Sequence, residues 1–255
     1  MKSSAWPSAS CALKWNSARL QSQASAIRRG AWPALNACVT ALALGLLLVC
    51  VPGVHAAVVL ASSGQVQVER QGFTVSIIQG QSVGEGDELR VAADAELVVR
   101  FDDGARLAVR PNSRVFLKRL SLGGTPESRH KTLRIIKGGI RYISGESLHK
   151  DPVAFETRTA SIGIRGTDVE IAVTDDAASG SAPGTYPKVN TGRAVLAGLD
   201  GTELELAPGE LAFGAEPERM TRGVDIGAAR QPSARRVEGV PSGVFKSGEL
   251  DHLLR

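Results

Sequence analysis

The sequence predicts an all-β fold, an antiparallel β-sandwich or roll of about 12 short strands, and three observations predict it. First, residues 64 to 213 contain many short runs in which apolar and polar side chains alternate, for example "GQVQVER" (64–70), "AELVVRF" (95–101), "VEIAVT" (169–174) and "TELEL" (202–206). Second, turn residues separate these runs at intervals of roughly 8 to 12 residues. Third, no stretch of about 12 residues in this region has the apolar stripe of an amphipathic helix.

Two Asp-Gly steps make the turn prediction specific. Asp103-Gly104 and Asp200-Gly201 each lie between two alternating runs. A two-residue hairpin turn of the primed types needs positive φ, which glycine adopts at little cost, so we expect such a turn at both steps. The surrounding sequences also match, "DGARLAVRPN" against "DGTELELAPG". This similarity predicts one hairpin-plus-corner unit used twice, in two layers or two similar lobes.

The stretch "ASIGIRGTDVE" (160–170) interrupts an alternating run with a charge and a glycine. The apolar alternation slips by one residue across the interruption, as it does at a β-bulge or a sheet corner. We therefore expect Gly166 to supply the unusual backbone and Thr167 to form a hydrogen bond across it. Arg165 is expected to clamp a neighbouring carbonyl or carboxylate.

The N-terminal 56 residues have the composition of an export signal. They hold five of the 30 basic residues, none of the 26 acidic ones, and every Cys and Trp, so the remainder carries 25 basic against 26 acidic residues. An almost continuous apolar run from Ala34 to Val54 follows Arg28-Arg29 and ends at Val54-His55-Ala56. This layout predicts a signal peptide over residues 1–56, cleaved before Ala57, or an uncleaved signal anchor with the same topology.

No pattern in the rest of the chain predicts catalysis, a cofactor or a metal site. His130, His149 and His252 lie in separate polar segments without ligand spacing. Asp102-Asp103 is explained better by a turn than by calcium binding, because the further acidic positions of a calcium loop are missing. Nucleic acid is not expected as a partner, because the basic residues alternate with acids and lack aromatic neighbours.

Two segments are expected to lack regular structure. Residues 175–184, "DDAASGSAPG", are small, polar and strand-breaking, which is typical of a loop. Residues 216–255 are rich in Arg, Gly and Pro, so we expect a mostly disordered, flexible tail with a short terminal helix at 247–254.

In chain order the sequence contains "GQVQVER", "GEGDELR", "LVVRFDDGARLAVRPNSRVFL", "LRIIKGGIRYISG", "FETRTASIGIRGTDVEIAV" and "TGRAVLAGLDGTELELAPGELAF". Together these pieces resemble the FecR-type periplasmic domain, from about Gly64 to Phe213. The resemblance implies a β-domain over residues 57–215 that lies in the periplasm. Its motif positions, which we interpret as structural, are Asp103, Gly104, Asn112, Thr157, Gly163, Arg165, Gly166 and Thr167.

The best-known members of the family are transmembrane regulators. In these, a cytoplasmic segment holds a sigma factor and the periplasmic domain reads a TonB-dependent outer-membrane transporter. Here about 33 residues precede the apolar run, and they do not resemble the anti-sigma segment. The resemblance therefore implies a stand-alone exported FecR-domain protein, periplasmic or anchored in the inner membrane facing the periplasm.

Two functions remain open at this stage. The first is a non-enzymatic protein-binding or signalling module that contacts another envelope protein, such as a TonB-dependent transporter or a membrane regulator, through an exposed sheet face or edge. The second is a structural component that binds glycan or peptidoglycan. The second is less favoured, because sugar-binding faces use exposed aromatic rings and residues 57–255 contain only six Phe, two Tyr and no Trp.

Overall fold

The computed structural model confirms the all-β class. The described residues form 15 strands in one sheet and a C-terminal 3-10 helix. Within them, no helix has the length and apolarity needed to cross a membrane. The predicted leader lies outside the described residues, which are 57–121, 129–145, 152–175, 181–216, 232–239, 244–245 and 247–254.

The strands are numbered β1 to β15 in chain order. β1 to β8 are Ala57–Ser63, Val66–Arg70, Phe73–Ser76, Ser82–Val83, Glu88–Val91, Glu96–Phe101, Arg106–Val109 and Arg114–Ser121. β9 to β15 are His130–Ile143, Val153–Glu156, Ala160–Thr174, Gly184–Gly198, Glu203–Leu206, Ala212–Gly214 and Ala234–Arg236. The 3-10 helix is Glu249–Leu254.

The sheet has two halves that share three long strands. In the first half, β3, β2, β5 and β8 pair in that order onto the N-terminal half of β9. In the second half, β4, β1, β6 and β7 pair in that order onto the C-terminal half of β9. Buried apolar side chains from both halves form a single cluster, so the sheet folds on itself around one core.

The long strands β9, β11 and β12 pass through both halves. β12 pairs along nearly all of β11. The N-terminal half of β11 pairs with β10, and its C-terminal half pairs with β9. β10 runs parallel to β9, with Phe155 opposite Leu133. This parallel pair is an exception to the antiparallel sheet that the sequence predicts.

Each long strand bends at a glycine with a positive φ: Gly138 in β9 (84°), Gly166 in β11 (61°) and Gly192 in β12 (82°). In β11, burial moves from even-numbered residues before the glycine to odd-numbered residues after it. In β9 and β12 it moves from odd-numbered to even-numbered residues. A Cβ at Gly192 would lie 2.4 Å from the carbonyl oxygen of Gly166, so two of the bends pack against each other. The bends allow one strand to supply side chains to both halves of the core.

Aromatic rings and one buried charge occupy the centre of the core. Tyr142 lies 5.4 Å from Phe155 and 6.3 Å from Phe101, measured between ring centroids. The ammonium of Lys131, a residue only 1% exposed, lies 5.1 Å from the Phe101 ring and 5.4 Å from the Tyr142 ring. It forms an ion pair with Asp103. The buried charge is therefore compensated by a carboxylate and by two ring faces.

In the segment predicted to be mostly disordered, the short terminal helix expected at 247–254 is present as the 3-10 helix Glu249–Leu254, and β15 is a strand that was not expected. β15 pairs with β14. The 3-10 helix buries Leu254 in a cluster with Val98 and Ala108, and Arg110 donates two hydrogen bonds to Asp251, at 2.6 and 3.0 Å. These contacts cover part of the outer face of β6 and β7. Residues 217–231 lie outside the described residues, so the prediction is untested there.

Candidate functional site

The Gly-Thr step of the family motif forms the bend of β11. The predicted β-bulge is confirmed, because the register with β12 shifts between Arg165 and Asp168. Thr167 is buried and donates its hydroxyl to the carbonyl oxygen of Arg193 at 3.0 Å. Its backbone N–H donates to the Ser144 hydroxyl, also at 3.0 Å. The hydrogen bond predicted across the bulge is therefore present, and this part of the motif is architectural.

Three hydroxyl groups hold the turn that leads into β11. Thr157 Oγ1 accepts the backbone N–H of Ala160 at 3.0 Å, which closes the turn. Thr185 Oγ1 on β12 lies 2.7 Å from the hydroxyls of Thr157 and Thr159. Both Thr159 and Thr185 are buried. The Thr-x-Thr pattern therefore joins the turn to the neighbouring strand.

The predicted two-residue turn at Asp103-Gly104 is wrong in length. The backbone N–H of Phe101 donates to the carbonyl of Ala105 at 2.8 Å, and that of Gly104 donates to the carbonyl of Phe101 at 3.0 Å. Three residues, 102–104, therefore lie between the hydrogen-bonded residues Phe101 and Ala105, and of these three only Gly104 has a positive φ, 83°. This arrangement leaves Asp103 in an ordinary conformation, whereas a type I′ turn would have required positive φ at both positions. The hairpin at Asp200-Gly201 has the same three-residue turn in place of the predicted two-residue turn.

Asn112 lies in the link between β7 and β8, where the chain changes direction again. It adopts a positive φ of 58°, and its backbone N–H donates to the carbonyl of Ala92 at 3.0 Å. The adjacent Ser113 accepts the backbone N–H of Gly139 at 2.9 Å. A Cβ at Gly138 would lie 2.2 Å from the Ser113 hydroxyl oxygen, so the two chains touch at the corner. Asn112 thus lies at the corner where the link between β7 and β8 packs against the bend of β9.

Gly163 and Arg165 differ from the other motif residues. Both are exposed on the outer face of β11. Gly163 does not have a positive φ, and a Cβ built on it would meet no atom within 4 Å. Arg165 lies opposite Arg193 of β12. The predicted clamp is not formed within the described part of the chain, because Arg165 makes no hydrogen bond or ion pair there.

An open, largely apolar depression of about 430 Å³ surrounds these two residues. Its floor includes Ala154, Gly163 and Val195, which are directly opposite one another on β10, β11 and β12. Arg165 and Arg193 lie at one end. None of the described residues that line the depression is acidic. We call this depression, with its two arginines, the β11 trough.

A second exposed feature is the β3 edge, which we define as strand Phe73–Ser76 together with Ile78. Among the described strands, β3 pairs only with β2. Phe73, Val75 and Ile78 are 76%, 55% and 64% exposed. Unpaired sheet edges that carry apolar side chains are ready templates for another strand.

The described residues contain no group of three or more His, Cys, Asp and Glu side chains placed to hold a metal ion. His130 contacts Arg119 at 3.3 Å, His252 contacts the carbonyl of Glu249 at 3.0 Å, and His149 lies outside the described residues. The two histidines are thus in separate local contacts.

Two lowered carboxylate pKa values belong to structural contacts with the C-terminal segment. Hydrogen bonds from the hydroxyls of Ser233 and Thr202 lower the pKa of Asp200 well below its ordinary value. Burial raises the pKa of Asp251, but the hydrogen bonds and charge of Arg110 outweigh this and lower it overall. Both carboxylates are therefore held ionised by their anchoring partners.

Comparison with known proteins identifies one domain. The family described as FecR protein matches residues 87–182. Two crystal structures, at 1.65 and 2.50 Å, of a protein described as a putative anti-sigma factor from Parabacteroides distasonis ATCC 8503 are similar to this chain. Each is 17% identical, with a TM-score of 0.40, and the similarity spans 50% of this chain and 54% of that one. No curated protein matches the sequence.

Proposed function

We propose that this chain, which contains a FecR domain over residues 87–182, is a non-enzymatic signalling module of the bacterial envelope that binds another envelope protein. The proposed contact is the β3 edge, onto which a strand of the partner adds. A TonB-dependent transporter or a membrane regulator is the proposed class of partner. The family match supports a regulatory role, and the β3 edge is the observation that carries the mode of binding.

The backbone of β3 is oriented for strand addition. The N–H of Ile77 donates to the carbonyl of Val66 at 3.1 Å, and the register places Val75 opposite Val68. Hydrogen-bonded pairs alternate along antiparallel strands, so the backbone N–H and C=O groups of Val75 also point toward β2. The N–H and C=O groups of Thr74 and Ser76 then point away from β2. These outward groups can pair with a new strand.

The side chains of the β3 edge add an apolar contact to this backbone pairing. Phe73 and Val75 are two residues apart and project from the same face of the strand. Burying such side chains contributes on the order of 25 cal/mol for each Å² removed from water. Partners would be distinguished by how well their side chains fit this pair, since main-chain pairing supplies affinity with little sequence preference.

The test is site-specific photo-crosslinking in cells, with the photoreactive residue at Ile78, beside the strand. We expect a crosslinked envelope protein that is identified by mass spectrometry. The substitution Thr74→Pro removes an outward N–H without touching the bonds to β2, so it should abolish the crosslink. The matched control Thr74→Val keeps the N–H and should preserve the crosslink.

Thermal unfolding of Thr74→Pro must stay close to that of the unaltered protein for this comparison to count. If Thr74→Pro folds but gives the same crosslinked partner as Thr74→Val, strand addition at the β3 edge is wrong. Crosslinks to cell-wall fragments alone would favour the glycan-binding alternative.

We also propose that the domain acts in the periplasm after its leader is removed before Ala57. The first described strand begins at Ala57, so cleavage before Ala57 leaves every described strand intact. Cell fractionation with N-terminal sequencing tests this proposal. A mature chain that begins at Ala57 is expected, and a chain that keeps residues 34–54 in the membrane fraction would show an anchor instead.

A further inference from the structure

Gly163 lies in the middle of a strand that gains nothing from a glycine. Its φ is not positive, and a Cβ would meet no atom within 4 Å, so neither backbone strain nor crowding requires glycine there. Glycine weakens a strand interior because it loses more conformational freedom on folding and has no side chain to pack. A glycine inside a strand often marks a bulge, a tight bend or a place where a ligand or another backbone approaches closely, and the register shows no shift at Gly163.

The neighbours of Gly163 extend the space that it leaves open. Ala154 on β10 and Val195 on β12 are its direct partners across the sheet. Val195 is 40% exposed although it is apolar and belongs to a strand that is paired on both sides here. The result is an apolar floor three strands wide within the β11 trough.

The two arginines of the β11 trough attract an anion. Arg165 and Arg193 are directly opposite each other, and like charges in that position are destabilising. Arg193 has an ion pair with Glu205 at 3.0 Å, but both side chains are highly exposed, so this pair neutralises little. A carboxylate placed between the two guanidinium groups would relieve their repulsion and accept charge-assisted hydrogen bonds from both.

We infer that the β11 trough is a second binding site, which takes an extended segment of a partner protein with an Asp or Glu side chain next to a small apolar one. The carboxylate lies between Arg165 and Arg193, and the apolar side chain lies on Gly163. β10, β11 and β12 are already paired on both sides in this region, so the segment binds face-on and adds no strand. The site therefore differs in mode of binding from the β3 edge.

Peptide binding by the full-length exported protein tests this inference. The probe is an array of ten-residue peptides in which one Asp or Glu is fixed beside Val or Ala, printed next to the same peptides with Asn or Gln in place of the acid. We expect the acidic peptides to bind, and their amide counterparts to bind at least about tenfold more weakly. Equal binding of acids and amides, or binding of neither, overturns the inference.

Three variants locate the binding on the protein. Gly163→Val fills the trough in open space, so it should fold normally and lose the acidic peptides. Ser161→Val adds the same side chain on the same face of β11 but outside the trough, and it should bind normally. Arg165→Glu should abolish the preference for acid over amide.

The same peptide array distinguishes the β11 trough from the β3 edge. Thr74→Pro should leave peptide binding unchanged, because it alters only the β3 edge. Full binding by folded Gly163→Val or by Arg165→Glu would show that the peptides bind elsewhere and would overturn the inference.

Discussion

The two Asp-Gly hairpins, β6–β7 and β12–β13, have the same local structure and different surroundings. In each, the N–H of the residue before the turn donates to a carbonyl four residues later at 2.8 Å, and the glycine N–H donates back to the carbonyl three residues earlier, at 3.0 and 3.2 Å. In each, an Asp oxygen accepts the backbone N–H two residues on, 3.2 Å for Asp103 and 3.0 Å for Asp200. Matching sequences therefore give matching turns.

The further contacts of each aspartate show the difference. Asp103 pairs with Lys131, which is buried in the core. Asp200 accepts hydrogen bonds from the hydroxyl and backbone N–H of Ser233, which precedes β15. The turn is thus fixed by residues close in sequence, whereas the role of the carboxylate is fixed by a distant segment that the turn sequence does not specify.

The largest expected effect is at the first hairpin, where Asp103 pairs with the buried Lys131. Asp103→Asn keeps an oxygen for the turn but removes the charge that compensates Lys131. Leaving a buried charge unpaired typically costs about 3 to 5 kcal/mol, so we expect a loss of that size in the free energy of unfolding. Urea denaturation measures it.

A second substitution shows whether the buried charge is the cause. Asp103→Asn combined with Lys131→Met should recover most of the lost stability, because an apolar side chain of similar length needs no counter-charge. If the double variant is as unstable as Asp103→Asn alone, the turn rather than the ion pair is the source of the loss.

An intermediate and equal effect is expected for the glycines of the two turns. Gly104 and Gly201 have φ values of 83° and 84°. Gly104→Ala and Gly201→Ala should each cost about 1 to 2 kcal/mol, because L-residues with a Cβ are strained in this conformation. Denaturation of the two variants side by side measures the difference between them. A difference larger than about 1 kcal/mol would show that the surroundings, and not the turn alone, set the cost.

The sequence predicted local features well where the alternation of apolar and polar residues changes phase within a single strand. The slip of alternation around Gly166 predicted the bulge, an unusual backbone at Gly166 and the Thr167 hydrogen bond. The same slip occurs at Gly138, but "KTLRII" and "GIRYIS" were interpreted as two strands, because a turn and a bend both place glycine between alternating runs. Lys131 has the same parity as the buried Leu133 and Ile135, which was a usable signal for its burial.

Contacts between distant segments were not predictable from a single sequence. Arg165 was expected to clamp an acceptor, but the residue opposite it is Arg193, and strand register is fixed only when the whole sheet assembles. Near the C-terminus the short helix was expected, but β15 was not, because its three residues carry no periodicity. Their order comes from contacts such as Arg110 with Asp251 and Asp200 with Ser233.

The smallest effect is expected at the second hairpin, where Asp200 holds Ser233. Asp200→Asn removes the charge that holds Ser233, so β15 should open more often while the core stays intact. We expect faster hydrogen exchange at the amides of Ala234–Arg236 and little change in urea denaturation.

The effect should also depend on pH. The pKa of Asp200 is lowered in the folded protein, so its contribution is present above the unfolded value of about 3.9 and is lost as pH falls below it. The difference in exchange between the unaltered protein and Asp200→Asn should therefore be full at pH 7 and should shrink below about pH 4. Taking this difference separates Asp200 from Asp251, whose pKa is lowered as well. A difference that stays constant down to pH 2, or a global loss of stability as large as that of Asp103→Asn, would contradict the assignment of Asp200 as a surface anchor.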